Sequence, residues 1–403
     1  VRGGQGERKT FRTCYKWLCE NYPDTAWNNF NNVVEFGRFD DFYVAHGTPV
    51  WKNILEAIRV NWVRGATNLM WKWLPSENTS SPKTRALASE IRKHLRISSK
   101  EYRKTLSAQR KALDVVERKM CASEWSNINY KGVPSKAALQ YKNAFKKHDG
   151  VRYEQYITDV ANGKTTINAS TLYPYDIVGK ALRGDDSKTL DVLWKALPNY
   201  MEGDTSNGIV VADVSGSMSG RPLEVSISLA MYISERNNGA FKDCFITFSN
   251  EPTLEKVVGN NIREKVQNLN RSKWDMSTDL EGVFNLILNT AVNHKVPANE
   301  MPTKIYIVSD MEFNQACHNP SSTLFQVIKA RYEEAGYVRP ELVFWNVNAR
   351  NNQSPVRFDE SGTCMVSGCS PAILTSLLSG NITTPAQVML NAINVERYST
   401  VVI

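Results

Sequence analysis

Three short polar clusters in the C-terminal half of the chain have the residue types and spacing to hold a hard divalent cation. The first, Asp213-Val214-Ser215-Gly216-Ser217, ends an apolar stretch that begins near Ile209. The second, Ser277-Thr278-Asp279, stands just before a helical pattern starting at Leu280, and the third, Ser309-Asp310, directly follows the apolar run Lys304 to Val308. A strand running into a tight turn gathers the Asp213 carboxylate with the Ser215 and Ser217 hydroxyls. All are hard oxygen donors, so the implied ion is Mg²⁺ or Mn²⁺, with Ca²⁺ a poorer fit because carboxylates are few. Ser215 and Ser217 would ligate directly, and Thr278 directly or through water. Asp213 and Asp310 would ligate directly or accept hydrogen bonds from metal-bound water. One position remains for an external oxygen, and because two carboxylates roughly neutralise the ion, an acidic side chain or a phosphate suits it. Alone, the first cluster also reads as an Asx or Ser turn capping the next helix; Thr278 and Asp310 at the ends of the other expected loops favour the metal site.

For these clusters to meet, three strands must end at one edge of a sheet. The pattern beyond residue 207 supplies them: strands at Ile209 to Ala212, Lys242 to Phe248, Lys304 to Val308 and Glu341 to Val347 alternate with helices at Leu223 to Arg236, Leu280 to Ala291 and Phe325 to Ala335. Further helical segments are expected near Pro371 to Ser379 and Pro385 to Ile393. Apolar strands separated by amphipathic helices indicate a mostly parallel sheet covered on both faces. In such α/β sheets, ligands lie beyond the carboxyl ends of the strands.

The first half reads as an irregular all-helical module from Arg12 to about Leu197. Trp51, Ile54, Leu55, Ile58 and Trp62 recur at three- and four-residue spacings, one buried helical face behind the turn at Gly47 and Pro49. The polar stretch Asn199 to Asn207 marks a boundary, giving a helical domain over 1–200 and an α/β domain over 207–403. Charge divides the same way. Residues 207–403 hold 16 Lys or Arg against 19 Asp or Glu, while the whole chain of 403 residues carries a net +8. Lys83 to Lys119 alone holds twelve Lys or Arg against four acids. Its apolar positions leave Arg85, Arg92, Lys93, Arg96, Lys100, Arg103, Lys104, Arg110 and Lys111 toward solvent on one or two helices. Cations so clustered bind a phosphate backbone by counterion release without any motif. The alternatives are solvated helix faces or an acidic protein partner. Trp62, Trp71 and Trp73 could stack on bases, but large aromatics in helices usually complete a core.

Seven cysteines over so long a chain make no disulfide framework and point to a reducing compartment, hence the cytoplasm. No apolar run reaches membrane-spanning length. The chain opens on Val1 rather than Met, which leaves room for an upstream segment. Catalysis would need a nucleophile or base besides the ion. Asp279 and Glu312 lie near the proposed ligands, but Asp279 reads as a helix cap, and Cys317-His318 does not define a nucleophile and base. Nothing supplies the second metal or activated water of phosphodiester hydrolysis, so a non-enzyme is expected.

Residues 207–350 resemble a von Willebrand factor A domain with its metal-ion-dependent adhesion site: Asp213, Ser215 and Ser217 match the Asp-x-Ser-x-Ser element, and Thr278 and Asp310 the family's threonine and later aspartate. The helical half is similar to the ring-forming module of the Ro RNA-binding autoantigen family, the TROVE module. Arg2-Gly3-Gly4-Gln5-Gly6-Glu7-Arg8, Val133-Pro134-Ser135-Lys136-Ala137, His148-Asp149-Gly150 and Leu172-Tyr173-Pro174-Tyr175-Asp176 resemble a Ro-like family of plants, fungi and large viruses or phages. The resemblance implies a HEAT-like helical-repeat module followed by a Rossmann-like A domain. It also implies structured or single-stranded RNA on the basic surface and an acidic protein residue at the ion. The expected function is an RNA-binding scaffold; its rival is a protein-interaction or structural assembly component, of a virion if the source is viral.

Overall fold

A computed structural model describes residues 8–185, 187–201, 207–272, 279–311, 322–348, 362–369, 373, 390 and 393–402. The chain forms two compact units, one of Val1–Val133, Lys147–Gly150 and Val395–Ile403, the other of Pro134–Lys146 and Val151–Asn394.

The first unit is all-helical. It begins with α1 (Arg8–Asn21), α2 (Pro23–Asn28), α3 (Phe30–Phe36) and α4 (Trp51–Arg64). It continues through α5 (Met70–Trp73), α6 (Pro82–Leu95), α7 (Ser99–Ala112) and α8 (Val116–Cys121). The face expected of α4 is buried at Trp51, Ile54, Leu55 and Ile58. Of the three tryptophans weighed as base platforms, Trp71 is fully buried and Trp62 stacks on Tyr102 with ring centroids 5.3 Å apart. Ser81 and Ser98 cap α6 and α7 by accepting from Thr84 N and Glu101 N. Residues near the C-terminus also belong here: the Asn29 side chain exchanges hydrogen bonds with the Val402 backbone, and Asn32 Nδ2 donates to Thr400 O at 2.8 Å.

The long helix α9 (Ser135–Ala161) breaks at Asp149. Trp125 stacks on His148 with centroids 4.4 Å apart, and Tyr130 Oη donates to Asp149 at 2.6 Å. The His148-Asp149-Gly150 motif is therefore a pinned kink. Helices α10 (Pro174–Leu182) and α11 (Lys188–Lys195) complete the helical stretch. Pro174 opens α10, and Asp176 accepts from Tyr173 N and pairs with Lys136 at 3.4 Å, which joins two further motifs into one corner.

In the second unit a mixed α/β domain contains β1 (Gly208–Ala212), α12 (Arg221–Arg236), β2 (Cys244–Thr247) and β3 (Leu254–Lys256). Then come α13 (Ile262–Arg271), α14 (Leu280–His294), β4 (Lys304–Ser309), α15 (Ser322–Glu334), β5 (Glu341–Asn346) and β6 (Thr363–Ser367). The six strands lie in the order β3-β2-β1-β4-β5-β6, all parallel except the β2–β3 pair. This is a Rossmann-like, doubly wound order that reverses direction between β1 and β4. Alternate residues Ile209, Val211, Ile305, Ile307, Leu342 and Phe344 face one core with α14 and α15, while α12 covers the other face. Helices α10 and α11 pack with α12 and α13, so the compact units do not divide at the polar stretch near residue 200. The expected helices at Pro371 to Ser379 and Pro385 to Ile393 fall almost wholly outside the described residues.

Candidate metal centre and basic helix

The sheet reverses direction between β1 and β4, the place where α/β sheets hold ligands, and the first and third polar clusters stand at the carboxyl ends of these two strands. The strands run in parallel with Ala212 opposite Val308, so Asp213 comes level with Ser309 and Asp310 follows. Asp213 N donates to Val308 O at 3.0 Å, Ser215 N donates to Asp213 Oδ1 at 2.9 Å, and Ser309 Oγ donates to Asp213 Oδ2 at 2.8 Å. Both carboxylate oxygens are thereby oriented. Asp213 and Asp310 are almost fully buried, 2% and 3% exposed. Burial pushes the Asp213 carboxyl above its ordinary range; the Ser215 and Ser309 hydrogen bonds oppose that rise and the Asp310 charge adds to it. A positive ion would relieve both the burial and the repulsion.

Ser215 Oγ and Ser217 Oγ lie 3.0 Å apart. Without an ion this is a hydrogen bond. It is also close to the edge of about 2.9 Å expected of an octahedron with metal–oxygen distances of about 2.0–2.1 Å, and short for the longer bonds of Ca²⁺. The described donors, two hydroxyls and two carboxylates, are of the hard-oxygen type that would suit Mg²⁺. Met311, next to Asp310, has φ of 64°, uncommon for a residue with a Cβ, and its N–H donates to Ser309 Oγ at 3.2 Å. The backbone is bent where the third cluster ends.

Thr278, the remaining ligand expected from sequence, lies outside the described residues, as do Ser277, Glu312, Cys317, His318 and the Arg2 to Glu7 arm. Asp279 occupies the N-cap position of α14, without a side-chain cap bond. Its Oδ2 would be only 2.7 Å from a Cβ on Gly282, so the glycine makes room for that carboxylate. Gly282 carries no sequence signal for this role, and the bond from Ser309 to Asp213 is a tertiary contact between β4 and β1. A hydroxyl directly before Asp310 was the available signal. Among the described residues no group of three or more His, Cys, Asp or Glu side chains is placed to hold a metal.

The nine cations expected to face a polyanion separate into two groups. Lys100, Arg103, Lys104 and Lys111 are exposed and share one face of α7, opposite the buried Tyr102 and Leu106. Arg85, Lys93 and Arg96 are also exposed, on or just after α6, and Arg85 donates to Thr79 O at 2.7 Å. Arg92 and Arg110 depart from the expectation. Arg92 donates to Glu77 at 2.8 Å and to Ile97 O, bracing the corner between α6 and α7. Arg110 donates to Trp71 O, Leu74 O and Ser76 Oγ, satisfying carbonyls at the end of α5. Arg103 and Lys111 also line a cleft of about 680 Å³ together with Lys72 and Arg118.

An all-helical region is followed by a mixed α/β domain with a six-stranded, Rossmann-like sheet. Residues 207–398 match the family model DUF7788 and residues 66–207 match DUF2828, each described as a domain of unknown function. An uncharacterized protein of Acanthamoeba polyphaga mimivirus is 31% identical over 346 residues, which cover 81% of this chain and 60% of the viral protein. The chain thus spans about three-fifths of that relative's length. The crystal structure of the Deinococcus radiodurans Ro (RSR) protein aligns over 95% of this chain and 90% of its own, with a TM-score of 0.45 and 11% identity. No helix among the described residues is long and apolar enough to cross a membrane.

Proposed function

We propose that the protein is a non-catalytic binding module that captures an acidic group of a partner protein through a divalent ion held by Asp213, Ser215, Ser217, Thr278 and Asp310. The observation that carries this reading is the meeting of two buried carboxylates with a hydroxyl pair 3.0 Å apart at the β1–β4 switch point. The ion would supply a Lewis-acidic position for an incoming carboxylate. The chain's own groups do the rest: Ser309 and the Ser215 amide hold Asp213 in one orientation, while the half-buried Ser215 and Ser217 leave the outer side of the site open to the partner. A role in an assembly, including a virus particle, is in keeping with the viral relative.

The test is recovery of a complex from the native source in Mg²⁺. EDTA should release the partner, Mn²⁺ should restore it, and Asp213→Asn should abolish capture. A complex that persists in EDTA would refute the reading.

A second reading rests on α7. Its row of Lys100, Arg103, Lys104 and Lys111 matches the repeated negative charge of an RNA backbone and is independent of the ion. Binding on that face should therefore survive EDTA and weaken with salt, the reverse of the behaviour at the metal site.

A further inference from the structure

The Ser215 and Ser217 hydroxyls stand on a loop whose two ends are held in different ways. One end is fixed in the sheet, where Asp213 N donates to Val308 O at 3.0 Å. Within the loop, Met218 N donates to Ser215 O at 3.0 Å, and the Met218 side chain is fully buried. The other end is Gly220, with φ of 89°, a conformation that a residue with a Cβ rarely adopts, and α12 begins at the next residue. Gly220 has no side chain with which to cap α12, and the grip on that first turn comes from α10 instead.

Tyr175, Gly179 and Arg183 recur at every fourth position along α10 and its C-cap, which puts them on one stripe. Arg221, the first residue of α12, has its guanidinium carbon 4.5 Å from the centroid of the Tyr175 ring and pairs with Glu224 at 3.4 Å. Glu224 is 9% exposed and also takes Arg183 at 2.6 Å. A Cβ on Gly179 would lie 2.5 Å from Glu224 Oε1, so the glycine lets that carboxylate lie against α10. The Tyr175 ring is itself placed: it stacks on Tyr173 with centroids 5.3 Å apart, and Asp176 accepts from Tyr173 N while pairing with Lys136. The segment Leu172 to Asp176 thus ends on the first turn of the helix that leaves the metal loop.

We propose that Tyr175 is a positioning residue for that loop: with Glu224 it fixes Arg221 at the start of α12 and so sets Ser215 and Ser217 in the geometry that receives the ion. The inference rests on the divalent ion proposed above, whose assigned ligands include no residue of the α10 stripe. A loop gripped at both ends loses less freedom when an ion binds, and freeing one end returns that cost. Removing an outer group that orients metal ligands weakens the metal about 10–100-fold, and Tyr175, acting through Arg221 and the backbone, belongs at the lower end.

The test titrates Mn²⁺ into the full chain, follows the free ion by electron paramagnetic resonance, and records melting in EDTA. Binding that Asp213→Asn removes belongs to this site. Tyr175→Leu should weaken it about tenfold, and Arg221→Met at least about threefold. Loss of a positive charge would by itself favour the ion, so weakening by Arg221→Met reports position rather than charge. The double variant should be no weaker than Tyr175→Leu alone, because both changes remove the same contact. Tyr175→Phe keeps the ring and should bind within about twofold of wild type. If Tyr175→Leu lowers the melting temperature in EDTA, Arg221→Met decides, since its side chain is 54% exposed and its replacement opens no core. Should no Mn²⁺ binding depend on Asp213, the metal reading fails and this inference with it. Wild-type binding that all these α10 and α12 variants retain would leave the metal reading standing and refute the positioning role. Additive losses in the double variant, or Tyr175→Phe as weak as Tyr175→Leu, would refute it as well.

Discussion

Replacing Asp213 with Asn separates the two jobs assigned to that side chain. In the fold, Oδ1 accepts from Ser215 N and Oδ2 accepts from Ser309 Oγ. Asparagine can keep both contacts, because its oxygen can face the Ser215 amide while its NH₂ donates to the Ser309 hydroxyl, which can rotate to accept. The substitution also removes a carboxyl whose ionised form is disfavoured by burial and by Asp310. The ion-free variant should therefore melt at or above the wild-type temperature. An ion at one hundred times its dissociation constant stabilises the fold by about 2.7 kcal/mol. For a unit of this size that corresponds to roughly 5–11 °C. If losing one charged ligand weakens the ion about 100-fold, the same concentration contributes only about 0.4 kcal/mol, or roughly 1–2 °C. Scanning calorimetry of both proteins in EDTA, Mg²⁺ and Mn²⁺ measures all four increments. Full retention of the metal increment by the variant would refute Asp213 as a ligand. A large loss of stability in EDTA would show instead that the carboxylate is chiefly structural.

Three further perturbations test other parts of the account. Lys100→Gln, Lys104→Gln and Lys111→Gln together should reduce the slope of log affinity for single-stranded RNA against log salt by about 2, measured by fluorescence anisotropy, whereas an unchanged slope would remove α7 from the interface. Lys142→Met leaves Asp185 without its cation and should cost about 3 kcal/mol at neutral pH in urea denaturation. Burial alone would push the Asp185 carboxyl up, but hydrogen bonds from Lys142 and Ser187 hold it below its ordinary value. Its contribution to stability is therefore present above the unfolded-state pKa and disappears as pH falls through the lower folded value, a dependence that Lys142→Met should flatten. Gly208→Ala would bring a Cβ within 2.5 Å of the Tyr306 ring on β4 and should destabilise the second unit by about 1–3 kcal/mol; a neutral effect would mean that the ring has room to move.

Much of the architecture is readable along the chain because its signals are local. Central parallel strands are buried on both faces, so β1, β4 and β5 appear as unbroken apolar runs. The short edge strand β3 does not: it reads Leu-Glu-Lys, and its antiparallel pairing with β2 is set by the hairpin and the neighbouring strand. Strand β6 is equally unannounced, since its register comes entirely from β5.

The same division runs through the functional residues. The types and spacing of Asp213, Ser215, Ser217 and Asp310 already specify hard-oxygen chemistry, and the helical repeat already aligns Lys100, Arg103, Lys104 and Lys111 on one face. Tertiary structure decided that β1 lies beside β4, so that Ser309 reaches Asp213 across 96 residues of sequence. It decided that Arg110 satisfies carbonyls near Trp71 rather than facing solvent, and that residues near 400 return to the first helices. Composition and periodicity record what a segment prefers within a few turns of itself. Which buried donor meets which acceptor depends on chain segments brought together only when the cores close, and those pairings determine which charges remain free to act.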